Sequence, residues 1–140
     1  MCNYRFGGVS FCPEPSLPET EGLCIFHSRR EDKEAQAFRQ AFEEKVKRKD
    51  FSFQGYYFPE SLGRIDFSEF AREISNADFK DSEFHCSAIF NGVKFTGGKA
   101  SFDRAKFLGE EAAFQGVEFL SDKTVFHETS FSSRRRSCTN

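Results

Sequence analysis

The chain has 140 residues, 38% hydrophobic and 30% charged, with a formal net charge of −2 and a mean hydropathy of −0.59. That length suits one domain with a small appendage, and no run approaches the ~18 apolar residues of a membrane span. Twenty phenylalanines and no tryptophan are an unusual aromatic choice, which a repeat in the second half accounts for.

The N-terminus, MCNYRFGGVSFC, lacks the charged region and apolar run of an export signal, so the expected location is the cytoplasm. In a reducing compartment the five cysteines do not imply a disulfide framework. Residues 1–27 hold Cys2, Cys12, Cys24 and His27 in the spacing C-x9-C-x11-C-x2-H. Structural zinc takes four Cys or His ligands tetrahedrally, and C-x2-H is a compact half-site. The rest of this leader, with Gly7, Gly8, Pro13, Pro15, Pro18 and Gly22, has no periodicity and no core of its own. Such a segment needs a staple to order it. The four residues are therefore read as a structural Zn2+ site. Four protein ligands leave no open position for catalysis.

Residues 28–49 read as one helix. Ser28 and Glu31 have the S-x-x-E spacing of a capping box, and Lys45, Lys47, Arg48 and Lys49 crowd the last turn. Ala35, Phe38, Ala41 or Phe42, and Val46 form an apolar stripe. Glu43–Lys47 and Glu44–Arg48 are expected i,i+4 pairs. The stripe is predicted to cover the first coil of a solenoid, since a bare solenoid end exposes core and unpaired strand edges.

Residues 50–77 enter a repeat irregularly. Phe53 and Phe58 are five apart, Ile65 and Phe70 compete with Phe67 for the next position, and Ile74 lies five before Phe79. From there phenylalanine falls at 79, 84, 90, 95, 102, 107, 114, 119, 126 and 131. The steps are 5, 6, 5, 7, 5, 7, 5, 7 and 5, and a small or β-branched residue stands two before every Phe. These steps fit neither one helix face nor one face of a straight strand. Chain that turns a corner every few residues can send one Phe inward per side, with the residue at i−2 also inward. The working unit is a pair of sides, one step of 5 and one of 7, as in TGGKASFDRAKF, with widened corners such as Thr96-Gly97-Gly98 and Leu108-Gly109. A coil of four sides needs about 24 residues and would stack Phe90 on Phe114, Phe95 on Phe119, Phe102 on Phe126 and Phe107 on Phe131, about 4.8 Å apart. A flattened, two-sided coil of about 12 would put Phe102 on Phe114 instead, and 24 is favoured because five-residue sides are too short to sandwich two Phe layers.

The Phe-and-small-residue pattern resembles the pentapeptide-repeat proteins, whose central residue is Leu or Phe with Ala common at i−2. The resemblance implies an all-β solenoid, a right-handed quadrilateral β-helix, over residues 50–131. The Cys24-Ile25-Phe26-His27 turn similarly resembles small Cys/His-rich leaders that precede such repeats in some bacterial proteins.

Residues 132–140 leave the pattern as a basic tail with Arg134, Arg135 and Arg136, expected to be disordered. The last coil is then bare, and self-association there is one remedy. No catalytic constellation is found: Gly97-Gly98 lacks the Lys-Ser/Thr of a phosphate loop. His85 and His127 follow core phenylalanines and point outward on separate sides, and adjacent His85 and Cys86 should face opposite ways. No catalytic or cofactor-binding residue is assigned. The expected role is a non-enzymatic scaffold that binds a protein partner of unknown identity. An alternative is nucleic-acid binding through the zinc knuckle, the basic helix end and the tail. Some pentapeptide-repeat proteins protect DNA topoisomerases by resembling duplex DNA, which wants dense negative charge. Residues 51–131 carry 13 acidic and 8 basic residues, only −5, so that resemblance carries over weakly.

Overall fold

The computed structural model describes residues 2, 4–6, 10–12, 14, 23–31, 33–132 and 135–137; for 5, 6, 10, 11 and 135–137 the backbone alone is described. The leader's Gly and Pro positions noted above, Arg134 and residues 138–140 lie outside them. The chain opens with a short antiparallel hairpin, β1 (Arg5–Phe6) and β2 (Ser10–Phe11). A helix, α1 (Ala35–Lys47), precedes a four-sided parallel β-solenoid.

Each side of the solenoid is a parallel ladder. One stacks β3 (Tyr57–Phe58), β6 (Glu83–Phe84), β10 (Lys106–Phe107) and β14 (Ser130–Phe131). The next stacks β4 (Arg64–Asp66), β7 (Ser87–Ile89), β11 (Glu111–Ala113) and β15 (Arg135–Ser137). The third stacks β5 (Glu73–Ser75), β8 (Lys94–Thr96) and β12 (Glu118–Phe119). The fourth pairs β9 (Lys99–Ser101) with β13 (Lys123–Val125) and is extended toward the N-terminus by single bridges Asp78–Ser101 and Ser52–Asp78.

The register expected of a four-sided coil holds from Phe90 onward. Ring centroids are 4.9 Å apart for Phe90–Phe114, 5.2 Å for Phe95–Phe119, and 4.9 Å for Phe102–Phe126 and Phe107–Phe131, all within 11° of parallel. Phe102 and Phe114, one working unit apart, instead meet edge to face at 79°. A flattened, two-sided coil is excluded. From Phe90 onward the rings therefore stack along each column, and between columns they meet edge to face, as Phe95 and Phe102 do at 78°, or tilted, as Phe102 and Phe107 do at 39°. Burying each Phe is worth about 1.5–3 kcal/mol.

Toward the N-terminus the register drifts. Phe53 stands beneath Phe79 and Phe58 beneath Phe84, a longer coil than the one from Phe90 to Phe114. Phe67 stacks on Phe90 and Phe79 on Phe102, a slightly shorter one. The extra residues of the first coil fall between Phe58 and Phe67, where the 3-10 turn Glu60–Leu62 takes them up. The competition at the third side is resolved for Phe67. Ile65 takes the inward i−2 place opposite Ala88, Ile74 lies opposite Phe95, and Phe70 turns to meet Phe42 edge to face at 5.1 Å.

The helix and the tail depart from the sequence expectations. The helix starts at Ala35, not Ser28, and its cap is Glu34, whose carboxylate accepts from the amides of Gln36 and Ala37. The Ser28–Glu31 box does not form, because Glu31 is engaged elsewhere: it accepts from the Tyr57 hydroxyl and the Glu60 amide. Ser28 is buried and accepts from the amide of Arg30. The described residues of 28–34 are thus a strap laid on the first coil. In the tail, Arg135–Ser137 add a rung to the ladder, with Arg136 opposite Ala112.

Phe38, Phe42 and Val46 on α1 are buried as the stripe requires. Phe38 meets Phe58, and Phe42 meets Phe53, Phe58 and Phe67, so α1 closes the first coil. Glu43 and Lys47 pair at 3.1 Å, but Arg48 reaches Glu14 of the leader rather than Glu44. No helix among the described residues is long and apolar enough to cross a membrane.

Candidate metal centre

Cys2 and Cys12 stand on either side of the hairpin, and Cys24 and His27 lie on one turn closed by the Ser28 amide donating to the Cys24 carbonyl at 2.9 Å. The Cys2 amide donates to the Glu14 carbonyl and the Cys12 amide to the Tyr4 carbonyl, each at 2.8 Å. These two bonds tie the stretches around Cys2 and Cys12 together. The three sulfurs and one ring nitrogen lie within 4.8 Å of one another, and all four side chains are buried. Cys24 Sγ is 3.2 Å and Cys2 Sγ 3.5 Å from His27 Nδ1, and Cys12 Sγ is 4.0 Å from Cys24 Sγ. That last separation is far beyond a disulfide bond of ~2.05 Å. Tetrahedral ligands at roughly 2.0–2.3 Å from an ion stand three to four ångströms apart. The four residues predicted as ligands are therefore brought together, and they can hold a metal ion.

The surroundings fix the donor atoms. His27 Nε2 is 2.8 Å from the carbonyl of Gln54, which can only accept, so Nε2 carries the proton and Nδ1 turns its lone pair to the sulfurs. Tyr4 lies flat on the imidazole, 3.9 Å away at 3°, and Tyr56 meets it edge-on at 5.2 Å. The Cys24 amide donates to Cys2 Sγ at 3.2 Å. Cys12 and Cys24 behave as a pair. The hydrogen bond between them holds the Cys12 thiol below its usual range and, with burial, pushes Cys24 up. An ion between the sulfurs would supply the positive charge that three ionised thiols need at one point.

Elsewhere, burial pushes the Cys86 thiol up to about 12. Cys86 borders a surface groove of about 500 Å³ with His85, Glu60 and Glu110. His85 Nε2 is 3.2 Å from Glu83, and its ring stacks on Tyr57 at 4.4 Å. His127 faces Asp103 at 3.3 Å on the adjoining side. Lys33, which the sequence reading did not single out, is buried: its ammonium donates to the Tyr57 carbonyl at 2.7 Å and lies over the rings of Phe38 and Tyr57. Burial lowers its pKa to about 7. No pattern marks such a lysine in sequence, because it lies in the strap misread as helix. Among the described residues, no second cluster of metal-ligating side chains forms.

No family model, curated protein or solved structure matches the chain.

Proposed function

We propose that the protein is a zinc-stapled solenoid of the pentapeptide-repeat type that acts as a non-enzymatic binding scaffold for another protein. One observation carries this reading: the four donors are all buried and all come from the chain, so a tetrahedral ion has no position left for substrate. Three sulfurs and one imidazole nitrogen, with no carboxylate, suit zinc among the common divalent ions. The repeat supports the same conclusion. Stacked rings fill the solenoid, and the groove beside Cys86 offers a protonated thiol and an imidazole already turned to Glu83. What remains for function is the outside. Some of its charged side chains pair between coils, as in Lys94–Glu118 at 3.6 Å and Arg104–Asp81 at 2.8 Å. At the C-terminal end Leu120 is 59% and Phe126 41% exposed, which offers a partner or a second copy an apolar surface.

Affinity capture from the source cell with the full chain tests this reading. We expect a protein partner that survives nuclease and moderate salt. Binding to DNA or RNA that collapses with rising salt would favour the nucleic-acid reading instead.

A further inference from the structure

The amide of Tyr57, in the first coil, donates to the carbonyl of Phe26, in the leader, at 2.8 Å. It belongs to a group of contacts that join the leader to the solenoid. His27 donates to the Gln54 carbonyl. The Tyr4 ring lies against Gly55, where an added Cβ would come within 2.3 Å of it. Phe26 stacks on Tyr56 at 4.6 Å and 1°, and meets Phe38 edge to face at 5.4 Å. Every one of these leader groups is a metal donor or stands within two positions of one: Tyr4 follows Cys2, and Phe26 precedes His27. The arrangement that a metal imposes on the donors is the arrangement that presents Tyr4, Phe26 and His27 to the first coil.

Among the leader's described residues, the other attachments include the Glu14–Arg48 ion pair and the partly buried Leu23 and Ile25. Among its described residues the buried apolar side chains are the three cysteines and Phe26, and its hairpin pairs two residues with two. The elements beneath are held independently. Phe42 of α1 packs on Phe53, Phe58 and Phe67, and Arg39 donates to the Leu62 and Arg64 carbonyls. Later coils close on their own ring columns.

We propose that the metal is a latch. Its occupancy decides whether the leader covers the aromatic face made by Tyr56, Phe38 and the Gln54–Tyr57 backbone, while α1 and the solenoid stay folded in either state. This rests on the metal reading above. A buried cluster of three thiols and an imidazole has only weak sulfur hydrogen bonds once the ion leaves, so the metal's binding energy becomes the leader's docking energy. The face beneath is then available only when metal is scarce.

Hydrogen exchange on the full chain tests the latch, comparing zinc-loaded protein with the same protein after removal of zinc by a strong chelator. The Tyr57 and Cys12 amides should exchange at least about tenfold faster without zinc, and zinc should restore their protection. The Lys106 and Glu118 amides, bonded to the Ser82 and Val93 carbonyls, should change less than about twofold. Protection at Tyr57 and Cys12 that persists without zinc overturns the latch and leaves the metal site standing. Loss at Lys106 and Glu118 as well also overturns it, because the metal would then hold the whole fold. Protein that takes up no zinc overturns the metal reading, and the latch with it.

Discussion

Phe102 and Phe126 stack 4.9 Å apart and 4° from parallel, yet Phe102 is fully buried and Phe126 is 41% exposed. One column therefore runs from sealed core to open end. Phe102→Ala should destabilise the protein by about 3–5 kcal/mol, as core Phe truncations do. Phe126→Ala, with a ring neighbour on one side, should cost roughly half as much. Urea melts of the two variants check this, and equal costs would mean that the end is covered.

The i−2 rule makes a second prediction. Ala105 is buried and Lys106 is exposed on the next position of the same side. Ala105→Leu should cost about 1–3 kcal/mol through overpacking. Lys106→Ala should stay within about 0.5 kcal/mol of the parent. Denaturant melts of both variants measure the difference.

Two corner glycines differ in what a methyl group would meet. At Gly109 a Cβ would lie 2.0 Å from the backbone oxygen of Cys86, whereas at Gly98 the nearest atom is Asn76 Oδ1 at 3.5 Å. Gly109→Ala should force adjacent coils apart and cost more than about 2 kcal/mol, as other severe steric lesions do. Gly98→Ala should be close to neutral or slightly stabilising, by up to about 1 kcal/mol, since it narrows the unfolded ensemble. Thermal melts of the pair separate the two cases.

Lys33 gives the protein a pH signature. Burial depresses its pKa to about 7 in the folded chain, against 10.5 when solvated. Between those values the unfolded state binds more protons, so stability should rise as pH increases above 7. The burial penalty is fully present below 7 and disappears above 10.5. Its ceiling is on the order of 5 kcal/mol. Denaturant melts of zinc-loaded protein from pH 7 to 9, below the range where the raised Cys86 thiol opposes the trend, should slope upward, and Lys33→Met should flatten the slope. A parent without that slope would show that the ammonium is well solvated.

Much of this was legible from the sequence for a physical reason. From Phe90 to Phe131 every inward place demands a large ring and every i−2 place a small side chain, so spacing alone reveals the register. Before Phe90 the coils differ in length, as the stacked or paired positions Phe58–Phe84, Phe67–Phe90 and Ile74–Phe95 show. Local spacing there could not decide between Phe67 and Phe70, because the answer depends on which ring lies one coil above. The metal donors were legible because cysteine and histidine carry their chemistry with them. The helix start was not: Ser28 and Glu31 have the capping spacing, but Glu31's tertiary bonds to Tyr57 and Glu60 outweigh a local cap. Arg136 likewise extends the ladder at a place where sequence offers neither a small nor an aromatic residue.

Mutation of the donors supplies a companion test. Cys24→Ser should lower bound zinc from about one per chain to well below stoichiometric, because one ligand of four is lost. Elemental analysis after gel filtration measures it. Cys86→Ser, outside the cluster, should leave the zinc content unchanged.

The central claim is that Cys2, Cys12, Cys24 and His27 close around one zinc ion with no position left open. Zinc K-edge X-ray absorption on the purified full chain tests it most directly. The account predicts three sulfur scatterers at about 2.3 Å and one nitrogen at about 2.0 Å, with an imidazole signature and no water oxygen. A first shell dominated by oxygen or nitrogen, or one with an open water position, would contradict it.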